Sequence, residues 1–331
     1  MRTSIPDIYH GNKKNLYFWF MKKNLSIVVA FVAFASLTFA QEDTLSVEVI
    51  EETYVEEAVD SNLIEETFHG TRIISGHSNE TLRKGVLEFR VEHRFGDIAG
   101  SNGGIQQMFG FDNSSDIRIA FEYGLTDNLM IGIGRSKGTG APYRSLIDGF
   151  AKYKVIKQVR HGSPVSITAL ATTSYSYMKP STDISQVNAF PKWQHRMAYC
   201  TQLNIARKFG DRLSMAVLPT LVHRNYVAQD DVNTLFSLGG AARIGLNSKM
   251  AVLIEYYHVF ANDNFRNTVG NEYYNSLGIA FEWITFGHNF TVNLTNSKGF
   301  GETQFITNTF EDWMKGQFRL GFCVGRKFER E

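Results

Sequence analysis

The sequence predicts an all-β protein, an antiparallel up-and-down transmembrane β-barrel of about twelve strands. Three observations carry this expectation. From Val86 to Phe328 the chain is a succession of segments that alternate apolar and polar residues with period two. The connectors between segments are alternately short and long. Aromatic residues gather toward the segment ends. Strands of this kind show one face to lipid and the other to a lumen, as in bacterial outer-membrane barrels.

In the first segment Leu87, Phe89, Val91 and Phe95 alternate with Glu88, Arg90, Glu92 and Arg94. A strand of a soluble sandwich rarely commits four consecutive charges to one face. The second sets Ile117, Ile119, Phe121 and Tyr123 against Asp116, Arg118 and Glu122. Further along, Val165 to Tyr177 opposes apolar residues to Ser166, Thr168, Thr172, Ser174 and Ser176, and Met197 to Phe209 opposes them to Gln202, Asn204 and Lys208. Near the end, Tyr273 to Trp283 alternates with Ser276, Gly278 and Glu282, Phe290 to Leu294 with Asn289, Thr291 and Asn293, and Phe318 to Phe328 with Gln317, Arg319, Gly321 and Lys327. Pro219 inside a segment predicts a bulge or kink.

The short connectors are 126–128, 158–163, 210–212, 247–249 and 286–287, and the long ones 96–115, 136–145, 178–194, 228–233, 261–271 and 297–315. Short turns belong to the periplasmic end of such barrels, so an even strand count places both termini in the periplasm. With that orientation Tyr123, Tyr153, Phe209, Trp283 and Phe328 form one interfacial girdle, and Phe95, Tyr175, Tyr177, Tyr273 and Phe318 the other. Ordinary strand propensity of aromatics is the competing explanation.

Residues 21–40 have the layout of a secretory signal: Lys22 and Lys23, an apolar run from Leu25 to Leu37, then Thr38-Phe39-Ala40. Residues 1–20 have no place in it, which points to Met21 as the true start, with a long basic leader as the alternative. Residues 41–67 are expected to be a disordered acidic periplasmic segment, since 42–66 hold ten acids and no base. The whole chain carries only +1, so a basic barrel over 68–331 is hidden behind an acidic leader. The sharper alternative is that the acidic stretch folds back into the lumen.

A solute in such a barrel meets the inward charges Glu88, Arg90, Glu92, Arg94, Asp116, Arg118, Glu122, Lys152, Lys154, Lys208, Arg224, Arg243, Glu255, Glu282 and Arg319. Bases outnumber acids among them, which predicts a modest preference for anions. The competing expectation is a paired network that only satisfies buried charge. Catalysis is not expected. His161 and Ser163 share a spacing but sit in a short turn, and adjacent His77 and Ser78 point apart in an extended chain. His69 and His77 lack the spacing that fixes a metal geometry. Phosphate loops, dinucleotide fingerprints and basic tracts interleaved with aromatics are missing, so nucleic acid and cofactors are not expected. Cys200 and Cys323 fall on separate segments and are expected to remain unbridged.

Several strings add a resemblance. They are Thr71-Arg72-Ile73-Ile74-Ser75-Gly76-His77-Ser78, His93-Arg94-Phe95-Gly96, Glu122 to Asp127, Ala206-Arg207-Lys208-Phe209, Leu218-Pro219-Thr220 with His223-Arg224-Asn225, and Phe305-Ile306-Thr307 before Trp313. In order and spacing, over roughly 68–328, the chain resembles a Bacteroidota outer-membrane β-barrel family catalogued as domain of unknown function 5777. The resemblance implies an outer-membrane location and carries over no functional residue. The expected function is a narrow, weakly anion-preferring channel or facilitator for small polar solutes. The alternative is a non-transporting barrel that docks a periplasmic or surface partner through the acidic segment or the loop 297–315. A soluble, secreted barrel is a third possibility.

Overall fold

The computed structural model describes residues 66–329 except 101, 114–115, 229–230 and 262–271. The acidic stretch up to residue 65, the signal segment and the possible false start lie outside the described residues.

Twelve strands close into one antiparallel barrel: β1 (Leu87–Asp97), β2 (Asp116–Gly124), β3 (Leu129–Lys137), β4 (Ser145–Ile156), β5 (Ser166–Ser176), β6 (Met197–Phe209), β7 (Leu213–Arg224), β8 (Thr234–Gly245), β9 (Met250–Phe260), β10 (Ser276–Thr285), β11 (His288–Thr295) and β12 (Arg319–Phe328). Each strand pairs with its sequence neighbours, and β1 pairs with β12 to close the cylinder, Leu87 opposite Phe328. Full closure leaves no unpaired edge, which a strand in hydrocarbon cannot tolerate. Connectors of few residues, such as 210–212 and 286–287, lie at one end, and the long ones, such as 177–196 and 296–318, lie at the other.

The period-two pattern becomes two faces. Phe121 and Ile133 are 50% and 59% exposed on the outside, whereas Glu122 on the inside has no exposed surface. A continuous apolar exterior of this extent on a closed barrel marks a surface that meets lipid. Tyr123 and Phe328 both oppose Leu87 across β1, so they share one rim. Pro219 does not make a bulge. The β6–β7 register is the same on either side of it, Gln202 opposite Thr220 and Ile205 opposite Val217, and only the pairing between them lapses, because proline has no N–H to donate. Bulges fall instead between Arg94 and Asp97 and between Lys154 and Ile156.

The core of the molecule is inside the cylinder. Residues 67–82, here termed the strap, enter from the short-turn end as a hairpin, with Arg72 bridged to His77, Ser78 N–H donating to Thr71 O at 3.1 Å and Ile73 N–H to Gly76 O at 2.9 Å. The chain returns to the same end, where Lys84 N–H donates to the Asp127 carboxylate and Gly85 N–H to Gly124 O before β1 begins. From the opposite end, residues 296–309 fold inward around a one-turn helix, Glu302–Phe305. Phe300, Phe305, Ile306 and Thr307 are buried, so the first half of the 297–315 loop is unavailable as a docking surface. Its polar groups are satisfied largely within the segment, Gln304 Oε1 accepting from Phe300 N–H and Gly301 N–H and the Thr307 and Thr309 hydroxyls donating to Thr303 O and Phe305 O.

Candidate functional site

Alternation in β1 and β2 aims Glu88, Arg90, Glu92, Arg94, Arg118 and Glu122 inward, where water cannot solvate them. Charges so placed must pair or be hydrogen-bonded. Arg118 bridges two strands, with Nη1 on Glu92 at 2.8 Å and Nη2 on Asp148 at 2.6 Å. Arg90 donates to Glu88 at 2.7 Å, and its Nε lies 3.8 Å from Glu122. Elsewhere Arg243 meets Glu282 at 2.8 Å, Arg224 meets Asp231 at 2.9 Å, and Arg319 meets Glu311 at 3.0 Å and Asp116 at 3.8 Å.

The strap completes this network. Thr71 Oγ1 donates to Glu122 at 2.7 Å, and Arg72 stands 3.7 Å from Glu122 and 4.0 Å from Glu92. At the hairpin tip the backbone N–H groups of Ile74, Ser75 and Gly76 converge on the Glu255 carboxylate at 3.2, 3.0 and 3.0 Å. Successive amides make a concave anion site, here filled by a side chain of the wall. Gly76 is required there, since a Cβ would collide with the Tyr257 hydroxyl. On the returning arm Asn204 Nδ2 donates to His77 O and Ser78 O, and Thr168 Oγ1 donates to Asn79 O.

The two fillers meet in the middle. Arg72 Nη1 donates to Phe300 O at 3.0 Å, and His77 N–H donates to Glu302 Oε1 at 3.0 Å. Arg94 holds both, donating to Ser75 Oγ on the strap and to the carbonyls of Ser297 and Gly299 on the loop. The His77 ring packs edge-on against Phe150, centroids 4.4 Å apart. Burial pushes its imidazole well below 6.5, and Arg72 and Lys152 add to the effect. Burial raises the Glu302 carboxyl, with Arg72 acting against it. Beside these two, with Asp148 and Thr172, lies a space of ≈ 10 Å³, about the size of one water.

Each inward charge named from the sequence projects into this interior, with Lys154, Lys208 and Arg243 half-buried and the rest buried. Sequence reading did not single out Asp148, which adds to the acidic side, nor Arg72, Glu80 and Glu302 on the fillers. The string Thr71 to Ser78 was visible, but its lack of either regular period concealed that it lies inside the barrel. Cys200 and Cys323 are buried and unbridged.

A closed antiparallel cylinder with a lipid-compatible exterior and a charged interior defines a membrane-spanning β-barrel. The chain belongs to the family described as Membrane bound beta barrel domain (DUF5777), whose model matches residues 68–328. Among solved structures it is similar to the KdgM porin, at 9% identity and a TM-score of 0.41 over 74% of this chain and 99% of that one. It is also similar to an outer membrane channel from Pseudomonas putida F1, at 14% identity and a TM-score of 0.44 over 76% and 98%. The toluene transporter TodX of P. putida aligns at 8% identity and a TM-score of 0.35 over 76% and 92%. Among curated proteins nothing matches.

Proposed function

We propose that the protein is an outer-membrane channel, narrow and weakly anion-preferring, for small polar solutes, with its short turns and both termini in the periplasm and with the strap as its closed gate. The observation that carries this reading is the set of polar contacts that the strap makes with Arg90, Arg94, Glu122, Lys152 and Glu255 of the wall. A permanent filling is served at least as well by apolar packing, because buried ion pairs add little net stability. Charged and hydrogen-bonded contacts have the property that water or a solute can replace them when the filler leaves. The inward charges named above, from Glu88 to Arg319, are the groups a passing solute meets. Asp148 narrows the excess of bases, so the preference for anions is small.

The filled lumen favours a second reading, a non-transporting barrel that presents its loops or its acidic leader to a partner. Single-channel recording in a planar bilayer separates the two. Wild type is expected to show rare openings, and Glu255→Gln, which removes the charge and turns one of the two oxygens that accept the strap amides into an NH2 donor, frequent ones with a reversal potential biased to anions. Silence in both, with folding verified, selects the second reading.

A further inference from the structure

Every buried arginine of the wall has a carboxylate within 4.0 Å except Arg94, and on β4 the partners of Lys152 and Lys154 come entirely from the strap, among the described residues. Lys152 Nζ donates to Thr71 O at 2.8 Å and Ser78 O at 3.3 Å. Lys154 Nζ donates to Glu80 Oε2 at 2.7 Å. The two lysines are two residues apart on one strand, so they share a face with Cα atoms about 7 Å apart. The strap therefore lays a carboxylate and two carbonyl oxygens along a pair of ammonium groups. Its own hydrogen bonds hold that carboxylate in place, with Thr67 N–H at 2.8 Å and Asn79 Nδ2 at 3.1 Å on Glu80 Oε1. When the strap leaves, both cations lose every oxygen that now satisfies them. Water can then reach both ammonium groups, and a carboxylate competes with it by making charge-assisted hydrogen bonds to the two at once.

We infer that Lys152 and Lys154 form the recognition site for a carboxylate-bearing solute, and that Glu80 with the carbonyls of Thr71 and Ser78 is a built-in stand-in for that solute. This rests on the channel reading, and deepens it by naming the ligand and how it opens the gate. A solute carboxylate competes with Glu80, and because it binds only the strap-free state it shifts the population toward that state. Lysine suits the task because its ammonium is a compact charge with three donors that turns to a new acceptor without a fixed planar geometry.

The experiment reads strap release without requiring conduction. Hydrogen exchange at the Ile74, Ser75 and Gly76 amides is followed in the full mature protein in detergent, with succinate, phosphate or chloride added at matched ionic strength. Succinate is expected to speed exchange in a saturable manner and chloride to leave it unchanged. Glu80→Gln, which weakens the stand-in, is expected to lower the half-saturating succinate concentration about tenfold. Lys152→Gln combined with Lys154→Gln is expected to abolish the response, and Lys154→Arg alone to retain it, which separates a lost site from a damaged fold. No response to succinate in wild type, a response that chloride reproduces, or one given by phosphate and not by succinate overturns the assignment. A saturable succinate response in a barrel that never conducts leaves the site standing and removes the channel reading.

Discussion

The two sides of the lumen grip the same fillers by different means. Along β1, β2 and β4 the contacts are ionic and hydrogen-bonded, centred on Arg90, Arg94, Glu122 and Lys152. Along β6 to β10 the fillers lay down Phe68, Ile73, Ile74, Phe305 and Ile306 against Leu218, Val222, Leu253 and Tyr257, and Glu255 on β9 and Asn204 on β6 are polar holds set within that apolar side. Strap and loop together thus present an amphipathic surface to an amphipathic wall. Water or ions can replace the first set of contacts without a net loss of hydrogen bonds, whereas exposing the second carries a free-energy cost in proportion to area. The apolar side sets how firmly the fillers rest, and the polar side sets how readily they exchange.

This contrast can be broken in order of expected effect. Phe305 is fully buried, its ring 4.9 Å from that of Tyr257, and Phe305→Ala is expected to cost about 4 kcal/mol, seen as earlier thermal loss of protection across both fillers. Glu255→Gln is expected to cost the strap about 3 kcal/mol, confined to the amides of Ile74 to Gly76, with the strands still protected. A uniform loss over the strands after Glu255→Gln means the carboxylate supports the wall rather than the strap.

Acidification is next in size. The docked strap keeps His77 neutral, while a released strap takes up a proton below the ordinary value of 6.5. Docking is thus fully favourable above that pH and weakens as pH falls through it, by about 1.4 kcal/mol per further unit. Glu302, raised by burial, acts in the opposite sense as pH nears the carboxylate range around 4.5. Protection factors for the strap between pH 7.5 and 5.5 are expected to fall in wild type and to stay level in His77→Phe. The smallest effect belongs to Arg243→Gln, which breaks an ion pair within the wall. It is expected to change strap protection by less than about 0.5 kcal/mol, and a larger change means the wall network and the strap are coupled at a distance.

The wall was legible in the sequence because a strand between lipid and a polar lumen must alternate, and Leu87 to Phe95 on β1 do so with His93 as the one polar residue on the outer face. Connector lengths gave the ends, since turns such as 210–212 are too short to hide. The fillers were not legible. A segment packed inside a cylinder is contacted from several sides, so Thr71 to Ser78 mixes apolar and polar residues with no period. Residues 297–309 read as a surface loop for the same reason, and only the barrel's geometry brings Glu302 to His77. Asp148 went unremarked because β4 reads loosely, with Gly149 and Phe150 beside it, until Arg118 is seen to reach it across β3.

The strap leads through residues 83–86 into β1, the inward loop joins β11 to β12, and β1 and β12 form the seam that closes the cylinder. Of all the pairings this one joins the most distant parts of the chain, so it carries the largest loop-closure entropy and is the natural last step of assembly. Each filler thus adjoins a strand of that seam in the chain. If the seam closes last, closing the wall and filling it become a single event.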